Sequence, residues 1–148
     1  DTDIVISLFG HVKNSHKNIQ SAGTKNIITV MEELGVKKII SLSGGALPYP
    51  EKDQPKFIDY LIRGIMGLLA KDIVIDAKNH AEVLKASKLD WTIVRATRLT
   101  LNPRKGTYRI GWVGVNSGTE LSREDLADFI LNQIEKTNYK FQMPFVSY

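Results

Sequence analysis

KKIISLSGGA, residues 37–46, decides how this chain is built. A β-branched run, Ile39 and Ile40, stops within a few residues in Ser43, Gly44 and Gly45. It follows an amphipathic segment, residues 23–34, whose apolar positions Ile27, Ile28, Met31 and Leu34 share one helical face. Gly35 ends that helix as a C′ residue, and a strand over residues 36–42 begins after only a tight turn, as in a βαβ crossover. The pattern repeats in LDWTIVRATRLT, residues 89–100, where a helix over 73–87 leads into a near-continuous β-branched strand over 91–94. Strands of this kind are buried on both faces, and their C-terminal ends open onto a ligand crevice.

Working outward, residues 4–8 form a first strand that ends in Phe9-Gly10-His11, and residues 47–54, with Pro48, Pro50 and nearby Pro55, are loop. Residues 57–69 are apolar on most faces, which predicts a short buried or lid-like helix. In the helix over 73–87, Ile73, Val83 and Leu84 are expected to face inward and Lys85 and Lys88 outward. A strand follows over 107–115, a turn at Gly118, and then a helix capped by Ser122, with Asp125 in its first turn and Leu126, Phe129, Ile130 and Ile134 as its apolar face. Residues 141–147 make the last strand. Alternating strands and helices predict an α/β fold with a doubly wound, mostly parallel sheet, as one domain over residues 1–148. Residues 3–8 are apolar without alternation and so read as an interior strand, which needs a neighbour on each side. The chain therefore reads as the back portion of a larger domain, preceded by ~60 residues, the size of two β-α units.

Composition narrows the classes. The chain has 148 residues, 43% apolar and 24% charged, close to the globular average. The longest apolar-rich run, residues 57–70, is broken by Asp59 and Arg63 and falls short of the ~20 residues of a membrane span. Residues 1–10, DTDIVISLFG, lack the basic start of a signal peptide, and the chain has no cysteine, so a reducing, cytoplasmic setting is expected. The net charge of +4 is dispersed, with no basic stripe interleaved with aromatics, so no nucleic acid or membrane partner is expected. A mild positive balance suits a phosphorylated ligand. Three histidines without clustered carboxylates predict no metal site. No oligomer beyond a monomer or weak homodimer is expected.

Four segments, DIVISLFG (3–10), GTKNIITVMEELGVKKIISLSGGA (23–46), KNHAEVLKASKLDWTIVRATRLT (78–100) and SREDLADFILNQI (122–134), in this order and spacing, resemble the atypical short-chain dehydrogenase group. Within it the likeness is to NAD(P)H-binding proteins similar to NmrA and to flavin (biliverdin B) reductases. The resemblance implies a Rossmann-like sheet, a nicotinamide cofactor with NADP favoured over NAD, and a small-molecule acceptor. Residues 4–8 resemble the family's fourth strand. No G-x-G-x-x-G or G-x-x-G-x-x-G, the loop that grips the pyrophosphate, occurs in the sequence. Residues 1–148 alone are accordingly expected to bind dinucleotide poorly, and micromolar or tighter NADPH binding by calorimetry contradicts this.

The resemblance also assigns positions. Phe9 and Gly10 match a strand end beside the cofactor ribose, and His11 follows them. Ser43 falls near the family's serine, while Gly44 replaces the second small polar residue. Lys78 matches the lysine that bonds the nicotinamide ribose. Ala96, Thr97 and Arg98 match the loop that cradles the carboxamide; Arg98 contacts phosphate or acceptor on this reading, or pairs with a carboxylate on the plainer one. Ser43 is the catalytic candidate. The tyrosine expected four residues before Lys78 is Val74. An aliphatic side chain cannot protonate an alkoxide. The resemblance then points to hydride transfer onto a flavin-like or quinone-like acceptor, or to an NmrA-type protein that binds dinucleotide without turning it over. His80 reaches the crevice if its helix faces that way and is otherwise solvated. Tyr49, Phe57, Tyr60 and Trp112 are candidates to line an acceptor pocket or, as plain aromatics, the core.

Overall fold

The computed structural model describes residues 2–136 and 138–148. In chain order the elements are β1 (Ile4–Ser7), α1 (Ile19–Glu33), β2 (Lys38–Gly44), α2 (Phe57–Leu69), α3 (Lys71–Lys85), β3 (Asp90–Ala96), β4 (Arg98–Thr100), β5 (Arg109–Gly111), β6 (Glu120–Ser122), α4 (Arg123–Glu135) and β7 (Phe145–Ser147). The main sheet runs β1-β2-β3-β7-β5, and all its pairings are parallel except β5 with β7. The mostly parallel, three-layer α/β fold expected from the sequence is present.

The layers follow from strand alternation. Ile39, Trp91 and Ile93 point to one face and meet Ile28 and Met31 of α1 and Ala77, Ala81 and Leu84 of α3. Ile40, Val94 and Ala96 point to the other and meet Leu126, Phe129 and Ile130 of α4. A strand covered on both faces has no solvent side, which is why β2 and β3 read as near-continuous apolar runs. The same reason explains β1. Val5 packs toward the first cluster and Ile4 and Ile6 toward the second, yet β1 pairs with β2 alone among the described residues. It is thus the outermost strand of the sheet among the described residues.

Three boundaries differ from expectation for tertiary reasons. Helix α1 starts at Ile19, not at residue 23, because its cap comes from α3. Asn18 makes no side-chain cap; instead the buried Asp76 carboxylate accepts the N–H groups of Gln20 (2.8 Å) and Ser21 (3.0 Å) and the Ser21 hydroxyl. The expected strand over 107–115 is cut to Arg109–Gly111, since residues 112–115 turn back on themselves at Gly114 (φ +82°) and Val113 bonds the 49–55 loop. The last strand shortens because Pro144 has no N–H for the ladder. The N-cap of α4 is as expected: Ser122 Oγ accepts from Asp125 N at 3.0 Å. Asp125 in turn gathers Lys105 N (2.8 Å) and Gly106 N (3.0 Å).

The buried stripe of α3 also differs. Ile73 is 44% exposed, while the stripe comprises Asp76, Ala77, His80, Ala81 and Leu84. Two polar residues on the inward face hide the apolar period. Helix α2 has the expected bounds and no buried residue; Phe57 and Leu68 stand 85% and 86% exposed. It is the lid-like alternative that holds. No helix among the described residues is long and apolar enough to cross a membrane.

Candidate functional site

Because β1, β2 and β3 are parallel and in register, with Ser7 opposite Ser41 and Gly44 opposite Ala96, their following loops leave the sheet at one end. A cleft of about 510 Å³ opens there. Its floor is Gly44–Ala46 after β2 and Ala96–Arg98 after β3. Val74 and Ala77 of α3 form one wall, and Ile62, Arg63 and Met66 of α2 lie across it. A Cβ added at Gly44 meets nothing within 4 Å, so the backbone there is open to a ligand. The Ser43 hydroxyl beside it is buried and has no hydrogen-bond partner among the described residues. A buried orphan hydroxyl costs free energy.

A charged cluster stands behind the cleft. Arg95 on β3 is fully buried, and its Nη1 and Nη2 donate to the two oxygens of Asp53 at 2.9 and 2.8 Å. Its remaining hydrogen bonds reach the carbonyls of Met143 and Leu47. Asp53 also accepts from Arg63 Nη2 (2.7 Å), Tyr49 N (2.8 Å) and Val113 N (3.1 Å). Burial pushes the Asp53 carboxyl up, but the bonds and charge of Arg95, with Tyr49 N–H and Arg63, outweigh it and hold the carboxyl below its ordinary 3.8. This cluster ties the proline-rich loop, the lid helix and the central strand together. Its Nε–H on Arg63 is buried and unpartnered among the described residues.

A sequence profile described as NAD(P)H-binding matches residues 1–137. The chain belongs to this NAD(P)H-binding family. The expected nicotinamide-nucleotide-binding family is borne out. Solved structures share the fold. The oxidoreductase ylbE from Lactococcus lactis is 21% identical, with TM-score 0.73, over 98% of this chain and 61% of its own. A short-chain dehydrogenase/reductase from Veillonella parvula DSM 2008 in complex with NADP is 18% identical, with TM-score 0.74, over 100% of this chain and 64% of its own. ChuY, an anaerobillin reductase from Escherichia coli O157:H7, is 14% identical, with TM-score 0.72, over 97% of this chain and 63% of its own. The chain thus spans less than two thirds of each of these structures.

Of the residues singled out from the sequence, Gly44, Ala96, Thr97 and Arg98 line the cleft of this NAD(P)H-binding domain, while Ser43, the residue before Gly44, is buried and is not among the lining residues. Arg98 is also paired with Glu120 at 2.6 Å, on an exposed edge. Phe9 and Gly10 leave β1 at the same end but outside the cleft, and the Phe9 ring fills the space over Gly23. His11 bonds Asp76 at 2.8 Å. Lys78 is exposed on α3, one turn beyond Val74, and does not line the cleft. His80 is neither in the crevice nor solvated. It is fully buried and bonded to Ser41 Oγ at 2.8 Å. Tyr49 and Trp112 pack edge to face in the core, while Phe57 and Tyr60 face solvent. The lining residues not found from sequence include Arg63, Ile62, Met66 and Gln20. Arg63 left one trace, as a charge interrupting the apolar run.

Proposed function

We propose that this chain is the acceptor-side part of an NAD(P)H-dependent reductase, NADP(H) favoured, acting on a planar flavin-like or quinone-like acceptor. The observation that carries the reading is the wall at Val74: the cleft is open and apolar where a carbonyl reductase needs its acid. When bound, the reduced nicotinamide supplies a hydride to the acceptor and is left oxidised by two electrons, and solvent supplies the proton that completes reduction. Ser43, Gly44, Ala96 and Thr97 would hold the nicotinamide end. Phe9, Gly10, His11, Lys78 and Arg98 would extend that surface toward ribose and phosphates. Ile62, Met66, Val74 and Ala77 exclude water and orient the acceptor against the ring. The bound NADP in the Veillonella structure and the +4 balance support the choice of cofactor.

The test is to mix full-length protein with NADPH and a flavin and follow the nicotinamide absorbance. It is expected to fall with time, and no oxidation above background despite tight cofactor binding overturns the reductase reading. Ser43→Ala sharpens the test. Its hydroxyl bonds nothing among the described residues, so the variant should unfold at the same temperature or slightly higher. Its kcat/KM should fall about tenfold, the upper end of a neutral hydrogen bond's worth. The second reading, a dinucleotide sensor of NmrA type, draws on the same Val74. It predicts binding without turnover, and a partner captured in only one cofactor redox state.

A further inference from the structure

We infer that Arg63 selects acceptors carrying an anionic group, a phosphate or a carboxylate at the edge of the planar ring. The inference rests on the reductase reading and names what that cleft takes. Arg63 reaches the cleft from the lid helix α2, between Ile62 and Met66 and across from Val74 and Ala77. In walls so apolar a guanidinium is costly to bury unless its donors are used. Among the described residues only Nη2 has a partner, Asp53 at 2.7 Å. That carboxylate is already held by both terminal nitrogens of the fully buried Arg95. Two guanidinium groups therefore share one carboxylate, and Arg63 Nε–H is left buried with no acceptor among the described residues.

The other charges around the cleft do not fill this gap. Asp59, one turn earlier on α2, also lines it, but its carboxylate accepts from Lys56 N at 2.8 Å and caps the helix. Arg98 is matched by Glu120. A ligand oxygen bearing negative charge balances the second guanidinium through the part of the Arg63 side chain that stays open, 22% of it, and charged acceptors make the stronger hydrogen bonds. A neutral acceptor leaves that charge unbalanced.

The experiment uses full-length protein, NADPH and three acceptors that share one ring: riboflavin, its phosphate FMN, and a flavin whose side chain ends in carboxylate. The wild type is expected to show a KM about tenfold lower for FMN, for the carboxylate flavin, or for both, than for riboflavin. The two charged arms decide which anion is read. Arg63→Gln should raise KM for the favoured anionic flavin about tenfold more than for riboflavin, and Arg63→Lys, which keeps the charge, should recover part of the difference. Equal KM values across the three flavins in the wild type overturn the inference, as does an Arg63→Gln effect of equal size on all three. Quenching of flavin fluorescence on binding reads the same preference without turnover. Preference for an anionic flavin with no NADPH oxidation would keep this inference and sink the reductase reading; turnover without preference would do the reverse.

Discussion

Asp53→Ala is expected to lower the unfolding free energy by about 3–5 kcal/mol, the usual loss when one partner of a buried ion pair is removed. Arg95 is 0% exposed and keeps only two carbonyl partners without Asp53. The variant also strands Tyr49 N–H, Val113 N–H and Arg63, all of which converge on the same carboxylate. Removing one side chain therefore leaves a buried cation and several buried donors unpaired, and desolvation rather than lost attraction makes the deficit. Adding Arg95→Met should recover much of it, because a buried pair replaced by apolar side chains of similar volume is often neutral. Sign follows from the depressed carboxyl. Its stabilisation is present above the ordinary 3.8 and is lost as pH falls through the lower folded value, so the gap between variant and wild type narrows in acid. Urea unfolding at neutral pH measures the loss, and a value under ~1 kcal/mol, the size of an exposed pair, contradicts the argument.

The same cluster shows where sequence reading stops. The strands at 38–44 and 90–96 are legible because burial on both faces leaves no solvent side, and the strand-end residues Gly44, Ala96, Thr97 and Arg98 follow from them. Helix α2 is legible as an apolar run between proline and a polar break, with the expected bounds. Asp53, Asp76 and His80 are not. Each is a polar residue whose burial depends on partners far along the chain: Arg95 for Asp53, the start of α1 for Asp76, Ser41 for His80. Local pattern assigns such residues to solvent, and that is why Ile73 was expected inward in place of Asp76. The two-stranded β4-β6 sheet is missed for another reason. Its strands are three residues each, too short to show a period. The family resemblance puts Lys78 in the expected site, whereas the α3 wall of the cleft is its neighbour Ala77, with Val74 a turn earlier. Arg63 lies on an element whose position over the cleft is a tertiary fact.

His80 is expected to make stability depend on pH between ordinary histidine range and about pH 4. Its ring is fully buried; Nε2 is engaged by Ser41 Oγ and Nδ1 has no partner among the described residues, so a second ring proton would find no acceptor. Burial, opposed only in part by the Asp76 charge, pushes its pKa from 6.5 down to about 4. The unfolded chain then binds a proton that the fold excludes, so stability is complete above 6.5, declines as pH falls toward 4, and levels off below. At 1.36 kcal/mol per pH unit the whole span is worth about 3 kcal/mol. His80→Gln removes the titration while its amide reaches toward Ser41, and so isolates this group from His11, His16 and the carboxylates. Urea unfolding of both proteins at pH 7 and pH 4.5 should show the wild type losing about 2 kcal/mol more than the variant over that interval. Parallel losses in the two proteins would mean that the proton enters elsewhere, and that the Ser41–His80 contact holds α3 to the sheet without making it sensitive to acid.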